Sequence, residues 1–228
     1  MTKVDESAAV DAVGASRPMR KDAARNRALL LTAARDVFRE RGLDASLDDV
    51  AARAGVGVGT AYRHFANKHE LARAVLSERI EEMIQLAESS AATRDAWQGI
   101  TTFIEGAATA QTTDRGLREV LMGAHDPQQM EQIHDRMTGP LRGLVARGKT
   151  EGVLRDDVQA TDVGVVMMML CTVADVTADT APDLWRRYLP VLLDGLRPGK
   201  ALPVPPIEED EFRAAMSTYK QRMQGAGG

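Results

Sequence analysis

The sequence predicts an all-α fold, on three observations. Alanine is abundant and methionine reaches 11 residues, and both residue types favour helices. Aromatic residues, which favour strands, make up only 4% of the chain. Apolar residues also recur at helical spacing. With 228 residues, 44% apolar and 27% charged, the chain suits one or two domains with a sizeable core, and it is not fibrous, collagen-like or wholly disordered.

The first two helices are predicted by apolar spacing and by local start and stop signals. The apolar face of the first consists of Leu30, Ala33, Ala34, Val37 and Phe38. Gly42 supplies the stop of this helix. The second begins after Ser46, a hydroxyl N-cap with Asp49 three residues further on, and it ends at Gly55.

The rest of the chain predicts further helices and an extended end. The third helix starts near Gly57 or Val58, and Asn67 caps a fourth that reaches about residue 89. Further helices are predicted near residues 94–111, 115–124, 127–150, 161–178 and 183–196. Residues 198–228 combine a Pro-rich linker, a weak amphipathic patch and a Gly-rich end, so we expect a tail that is mobile or docked on the surface.

Two short helices flanking Gly55 predict a helix-turn-helix. Ala51 and Ala54 are small enough for close helix packing, Gly55 takes the tight turn, and Val56 fills the angle between the helices. The second of these helices can then enter the major groove of DNA. A nucleotide-binding loop is the alternative that three glycines at 55, 57 and 59 suggest. A helix rather than a strand precedes them and no Gly-Lys-Ser/Thr follows, so we reject it.

Residues 47–71 carry a family resemblance. Val-Ala-Ala-Arg-Ala-Gly-Val, Gly-Thr-Ala-Tyr-Arg-His-Phe and Asn-Lys-His-Glu-Leu stand there in the order and spacing of the TetR (tetracycline-repressor-like) family of bacterial transcriptional regulators. With the first helix, the sequence resembles that family over about residues 24–75. The resemblance implies an N-terminal three-helix helix-turn-helix DNA-binding domain plus a C-terminal helical ligand-binding and dimerisation domain. It also implies a homodimer, a double-stranded DNA operator and a small effector.

The predicted division has four parts. Residues 1–19 form a flexible tail, 20–70 the DNA-binding domain, 71–197 the effector-binding and dimerisation domain, and 198–228 the C-terminal tail. Charge agrees with this division, because residues 20–73 carry a net charge of +4 within a chain of net −4. Four basic residues just before or within the first helix could form an arm that follows the DNA backbone or enters a minor groove, or they could form a solvated face: Arg20, Lys21, Arg25 and Arg27.

Eight residues are predicted to contact DNA: Ser46, Val58, Gly59, Thr60, Tyr62, Arg63, His64 and Lys68. By resemblance, the hydroxyl, imidazole and ammonium groups of this set hold phosphates, with Ser46 adding its hydroxyl at a helix start. Base contact falls to residues 58–60, with Arg63 reaching guanine. Alternatives remain for three of them: Tyr62 could pack in the core beside Phe65, His64 could be merely exposed, and Lys68 could be solvated.

The C-terminal half predicts a partner surface and a pocket. The segments 161–178 and 183–196 carry more apolar surface than one small monomer can cover, and Pro190 implies a kink. By resemblance these two helices form the dimer interface, through Met168, Cys171, Trp185, Leu189, Leu192 and Leu193. An effector pocket is predicted around Trp97, Phe103, Met122, His125, Met130, Ile133, His134 and Met137, with ordinary core packing as the alternative.

Several functions are not indicated. No catalytic motif is present, so we expect no enzyme, and His125 and His134 lack the spacing of a metal site, so we expect neither metal nor cofactor. Cys171 cannot form an internal disulfide and is predicted to be a buried, inert thiol, which fits a reducing cytoplasm. Residues 1–19 do not resemble a secretory signal, and the longest apolar run is too short for a membrane span.

Overall fold

The computed structural model describes residues 16–121 and 127–225, and within these ranges every regular element is a helix. The first four α-helices are α1 (Ser16–Arg41), α2 (Leu47–Ala54), α3 (Val58–His64) and α4 (Lys68–Ala92), with a 3-10 turn at Gly42–Asp44. The others are α5 (Ala96–Thr113), α6 (Arg115–Leu121), α7 (Pro127–Thr150), α8 (Ala160–Val176), α9 (Trp185–Gly195) and α10 (Glu209–Gly225). The predicted all-α fold is confirmed.

The chain divides into two compact units, the first ending at Val75 and the second starting at Leu76. In the first unit α1 packs against α2 and α3. Its core contains Leu30, Ala34, Phe38, Leu47, Val50, Ala51, Ala61 and Phe65. The sequence placed the boundary at 70/71. The structure places it five residues later because Leu71, Ala72 and Val75, in the first turns of α4, are buried and belong to the first unit.

The second unit is built around α5, which packs against α6, α7 and α8, while α8 also packs against α7 and α9. The buried side of α5 repeats at helical spacing, through Ile100, Phe103, Ile104, Ala107 and Ala108. Pro190 lies inside α9, and the kink that it implies remains a prediction. Among the described residues, no helix has the length and apolar character needed to cross a membrane.

The N-terminal end of the chain differs from expectation, and the C-terminal end matches one of its two predicted alternatives. The sequence assigned residues 1–19 to a flexible tail, but α1 begins at Ser16 and therefore takes in the last four of them. The C-terminal segment was expected to be mobile or docked, and the structure shows a docked segment that ends in α10. Three hydrogen bonds show the docking: Arg155 donates to the carbonyl of Lys200, Leu202 N donates to Asp157 Oδ2, and Thr161 Oγ1 donates to the carbonyl of Ile207.

Candidate nucleic-acid interface

The start of α2 is fixed by a reciprocal cap. The backbone N–H of Asp49 donates to Ser46 Oγ at 3.1 Å, and the N–H of Ser46 donates to Asp49 Oδ2 at 2.8 Å, so the predicted capping box is confirmed. The Ser46 hydroxyl also donates to Asp49 Oδ2, at 2.6 Å. Hydrogen bonds from the Ser46 hydroxyl and backbone, and then from Arg41, hold the pKa of Asp49 well below its usual range.

The cap changes what Ser46 can do. We expected its hydroxyl to donate to a DNA phosphate, but in this structure the hydroxyl hydrogen is committed to Asp49. A hydroxyl has one hydrogen to donate, so Ser46 would have to turn away from Asp49 to reach a phosphate oxygen. In this structure Ser46 therefore acts as the N-cap of α2, and its contact with a phosphate remains a prediction that requires another orientation of the hydroxyl.

The turn between α2 and α3 depends on Gly55. Its φ of 65° and ψ of 29° lie in the left-handed region, where a residue with a side chain is strained. The turn closes when Gly55 N donates to the carbonyls of Ala51 and Ala52, and Val56 N to that of Ala51 at 3.0 Å. Gly57 then caps α3, and Thr60 N donates to its carbonyl at 2.8 Å. The helix-turn-helix geometry predicted around Gly55 is present.

One side of α3 belongs to the core and the other is exposed. Ala61 and Phe65 are buried, which confirms that Phe65 packs inside. Val58 and Tyr62 are 43% and 51% exposed, and at four residues apart they lie next to each other on the outer face. Tyr62 is therefore outside the core, as a DNA contact requires, while the contact itself remains a prediction. This outer face also carries Gly59 and Arg63.

Arg63 is held along α3 towards its N-terminal end. Its Nε donates to the carbonyl of Gly59 at 3.1 Å and its Nη2 donates to Thr60 Oγ1 at 2.9 Å. The guanidinium has five N–H donors and these bonds use two of them, so donors remain for a base edge. Because Thr60 Oγ1 accepts from Arg63, the Thr60 hydroxyl hydrogen stays available for a phosphate.

Lys68 has a structural contact that the sequence did not indicate. Its ammonium Nζ donates to the carbonyl of Leu43 at 2.7 Å and is partly buried there. The bond joins the first residue of α4 to the 3-10 turn before α2, so Lys68 is more than the solvated side chain considered as an alternative. Two ammonium hydrogens are left over from this bond, and the phosphate contact remains a prediction. His64, at the end of α3, is half-buried.

The arginines of α1 and α2 are partly engaged within the first unit. Arg41 Nη1 donates to Asp49 at 2.9 Å, and Arg53 Nη2 donates to Glu40 at 2.7 Å. Arg27 stacks its guanidinium over the ring of Phe65, 5.2 Å from the ring centroid. Of the four predicted arm residues, Arg25 and Arg27 are exposed, and the side chains of the other two lie outside the described residues.

The predicted effector residues lie in different surroundings. Met122 and His125 fall outside the described residues, as does the side chain of Met130. Phe103 and Ile133 are buried and Met137 is half-buried, which fits core packing as well as a pocket. Trp97 stacks under the guanidinium of Arg197, 3.9 Å from the ring centroid, at the end of α9. His134 instead contacts Glu209 of α10. Trp97 and His134 thus contact different elements.

A buried arginine in the second unit was missed. The Arg118 side chain is 8% exposed, and it donates to Asp175 Oδ1 at 2.7 Å and to the carbonyl of Gln111 at 3.2 Å. Asp175 lies 57 positions away in sequence, and no short-range pattern links the two. Cys171 is buried, as predicted, and burial raises the pKa of its thiol to about 11, while the inertness of the thiol remains a prediction. Among the described residues, no three potential ligands are grouped to hold a metal ion.

Three of the six side chains predicted for the dimer surface are buried within the chain. Cys171, Trp185 and Leu189 are buried within the chain itself, so a partner chain would not meet them. Met168, Leu192 and Leu193 are half-buried. The large apolar side chains exposed on α8 and α9 are Met169, Val176, Tyr188 and Val191. Both helices thus expose apolar side chains next to the predicted ones, and a role of Met168, Leu192 and Leu193 in a dimer surface remains a prediction.

These features define a class of protein. A capped helix, a left-handed glycine turn and a second helix with an exposed face make a helix-turn-helix, which is followed along the chain by an all-helical unit. This is the architecture of a DNA-binding regulator. Residues 30–75 match the family model described as bacterial regulatory proteins, tetR family, and residues 95–198 match the C-terminal domain of SbtR-like transcriptional regulators. The chain belongs to the TetR family.

Individual relatives match mainly over the first part of the chain. The HTH-type transcriptional regulator SAR0097 of Staphylococcus aureus is 37% identical over 84 residues, 36% of this chain and 44% of that protein. The HTH-type transcriptional activator FasR of Mycolicibacterium smegmatis is 42% identical over 59 residues, 25% of this chain and 27% of that protein. These matches therefore span less than half the length of either relative.

The fold is shared over a longer range. The crystal structure of the transcriptional regulator FadR from Bacillus subtilis in complex with stearoyl-CoA matches with a TM-score of 0.54. It covers 74% of this chain and 98% of that one at 18% identity. At this identity the similarity shows the fold alone.

Proposed function

We propose that the chain is a homodimeric transcriptional repressor that binds a palindromic operator and is released by a small, largely apolar effector. The observation that carries the DNA-binding part is the exposed face of α3. Val58, Tyr62 and Arg63 stand on a short helix whose other side is fixed in the core through Ala61 and Phe65. A rigid helix with an exposed face at the second position of a helix-turn-helix suits the major groove.

The two kinds of DNA contact would fall to different residues. Tyr62, His64 and the hydroxyl of Thr60 would bind phosphates, which fixes position but carries no sequence information. Arg63, held near the start of α3 by Gly59 and Thr60, would read a guanine, and Val58 would contact a thymine methyl group. The net charge of +4 in residues 20–73 favours binding to DNA.

Dimerisation would use the exposed apolar side chains of α8 and α9. Met169 and Val176 are 47% and 80% exposed on α8, and Val191 is 63% exposed on α9. Large apolar side chains grouped on two adjacent helices are typical of a surface that a partner covers. Two copies of α3 would then read half-sites about 34 Å apart, one helical turn of DNA.

Effector release is supported by a structural neighbour. FadR from Bacillus subtilis was solved in complex with stearoyl-CoA, whose acyl chain is apolar. An effector of that chemistry, bound in the second unit, would favour a conformation in which the two copies of α3 no longer fit successive grooves. As a regulator of DNA, the protein would act in the cytoplasm, and we propose no catalytic activity for it.

Selection of bound duplexes from a random pool tests the DNA-binding part. We expect a palindrome with half-sites one turn apart and an affinity that falls steeply with salt, because several phosphates are neutralised per dimer. Recovery of no enriched sequence would contradict the proposal. A thermal-shift and DNA-release screen of apolar compounds on the same duplex then tests release.

A second candidate keeps the fold and changes the outcome. The match to an HTH-type transcriptional activator over 59 residues favours it, because the DNA-binding unit does not determine whether binding represses or activates. Transcription from the recovered operator, measured with and without the protein, separates repression from activation. Turnover of an effector by the purified protein would instead show an enzyme.

A further inference from the structure

The C-terminal segment is anchored to the second unit at its beginning. Arg155, whose side chain is 10% exposed, donates to the carbonyls of Gly195 and Lys200, and it also pairs with Asp157. Asp157 accepts from the backbone N–H of Leu202 at 2.7 Å. Hydrogen bonds from Arg155 and then from Leu202 hold the pKa of Asp157 at about 2. Residues 195–202 are therefore held by a charged pair in which the Arg155 side chain is 10% exposed and the Asp157 side chain 30% exposed.

Further along, an aromatic ring of the C-terminal segment packs against a glycine of α8. Phe212 of α10 lies over Gly164 of α8, where a Cβ atom added to the glycine would be 3.0 Å from both Cε1 and Cζ of the ring. A glycine inside a helix costs about 1 kcal/mol relative to alanine. Gly164 leaves the space that the ring of Phe212 fills.

Three residues before this ring, α10 places a carboxylate on basic side chains of α7. Glu209 Oε1 lies 3.2 Å from Nε2 of His134, and Oε2 lies 3.6 Å from Nη1 of Arg142. A carboxylate only accepts hydrogen bonds, so His134 Nε2 carries the hydrogen. Arg213, one turn along α10, also reaches Glu209, at 3.3 Å. The side chains of Glu209 and His134 are 25% and 27% exposed, so solvent can exchange with this contact.

Together, the side chains of Glu209 and Phe212 carry the two chemical groups of a small amphipathic acid. Residues three apart on a helix share a face, so Glu209 and Phe212 present a carboxylate and an aromatic ring side by side. The receiving surface offers two nitrogen donors on α7 and an open patch at Gly164 on α8, and His134 is also one of the predicted effector residues. The two attachments differ in kind. Arg155 and Asp157 bond to backbone groups of residues 195–202, whereas Glu209 meets α7 through side-chain contacts that another carboxylate can make.

We propose that His134, Arg142 and Gly164 form a binding site for an amphipathic carboxylic acid, and that Glu209 and Phe212 of α10 fill this site from within the chain. A free acid with an apolar body exchanges with α10: its carboxylate takes the place of Glu209 and its body takes the place of Phe212. The linker stays attached through Arg155 while α10 separates from α7 and α8. This inference rests on the proposed function, since it names the chemical class of the effector.

The test uses decanoate as the probe and 1-decanol as its uncharged analogue, on the full chain and without DNA. The double variant E209Q/F212A removes the internal competitor, and E211Q removes one acid from the same turn of α10 at an exposed position as the control. We expect decanoate to bind E209Q/F212A about tenfold more tightly than it binds the unaltered chain or E211Q, and 1-decanol to bind more weakly than decanoate.

Adding H134Q/R142Q to E209Q/F212A supplies the decisive comparison. We expect decanoate affinity to fall about tenfold, with an unchanged far-UV CD spectrum and melting curve as the check on folding. In the unaltered chain, decanoate is expected to increase amide hydrogen exchange in residues 209–216 and to leave residues 195–202 unchanged. Equal affinity of E209Q/F212A and the unaltered chain, or full affinity after H134Q/R142Q, would overturn the inference.

Failure here and failure of the proposed function give different results. The assay contains no operator, so loss of DNA binding would not alter its outcome. A regulator that leaves its operator when a compound binds elsewhere would keep the proposed function and overturn only this site.

Discussion

The contact between Phe212 and Gly164 allows a quantitative test of whether the C-terminal segment is docked. Gly164→Ala would place a methyl group 3.0 Å from two ring carbons, so the ring must shift or leave. Overpacking of this kind costs about 1 to 3 kcal/mol, and the better helix propensity of alanine returns about 1 kcal/mol. We expect Gly164→Ala to leave the free energy of unfolding unchanged or to lower it by up to about 2 kcal/mol.

A matched glycine supplies the control. Gly143 lies on the exposed side of α7, and a Cβ added there meets nothing within 4 Å. Gly143→Ala should therefore stabilise the chain by up to about 1 kcal/mol. In an F212A background the ring is absent, so Gly164→Ala should stabilise by a similar amount. The coupling between Gly164→Ala and Phe212→Ala is thus expected to be about 1 to 3 kcal/mol.

Urea denaturation followed by tryptophan fluorescence measures this cycle in the correct unit. The chain has two tryptophans, Trp97 and Trp185, and both belong to the second unit. Their emission therefore reports the unit to which α10 is docked. Amide exchange of residues 209–216 is the second readout, and it should rise in the single variant Gly164→Ala. Equal stabilisation by Gly164→Ala and Gly143→Ala, with unchanged exchange in α10, would refute the docking.

Three further predictions concern the remaining sites. Tyr62→Ala should weaken binding to all DNA sequences alike with no loss of helical CD signal. Lys68→Ala should also lower the free energy of unfolding of the first unit, because the hydrogen bond from Lys68 to the Leu43 carbonyl is lost. Equal stability of the two variants would contradict this. Folding lowers the pKa of Asp49, so the contribution of this carboxylate to stability is complete above the unfolded-state pKa of about 4 and is lost as the pH falls below it. Asp49→Asn should therefore reduce the loss of unfolding free energy at acid pH. An unchanged pH dependence would exclude Asp49 as its source. Burial raises the pKa of Cys171 to about 11, so alkylation of the native chain at pH 8 should be slow. Alkylation should become fast in denaturant. Rapid labelling of the native chain would show that the thiol is accessible.

Local signals predicted the parts of the structure that depend on neighbouring residues. The cap at Ser46, the left-handed turn at Gly55 and the cap at Asn67 each involve residues no more than five positions apart. Their geometry follows from which backbone donors a short side chain can reach, so the sequence was sufficient. The burial of Phe65 and the exposure of Tyr62 followed from helical facing for the same reason.

Contacts between distant residues gave no such signal. Lys68 and Leu43 are 25 positions apart, and Arg118 and Asp175 are 57 apart. Ser46 shows a different difficulty, because a hydroxyl that suits a phosphate also suits a nearby carboxylate, and only the geometry shows that Asp49 takes its hydrogen. Competition between two chemically reasonable partners is not decided by residue type.

The two helices assigned to the dimer surface show a third kind of difficulty. In α9, Trp185 and Leu189 form one apolar stripe, and Tyr188 and Val191 form another. Both stripes obey helical spacing, and the sequence assigned Trp185 and Leu189 to the dimer surface. The structure places Trp185 in the core, where a large side chain stabilises the unit most, and leaves Tyr188 outside. Spacing identifies stripes, but tertiary packing decides which one faces inward.

The helix α8 has three apolar sides with different surroundings. Its inward stripe contains Val163, Val166, Met167, Leu170 and Ala174, which are buried. A second stripe, with Thr161 and Gly164, receives Ile207 and Phe212 of the C-terminal segment. A third stripe, with Met169 and Val176, is exposed. The chain thus covers two sides of α8 by itself, and the apolar surface left for a partner is the third stripe, so Met169→Glu should dissociate a dimer while Gly164→Ala should not.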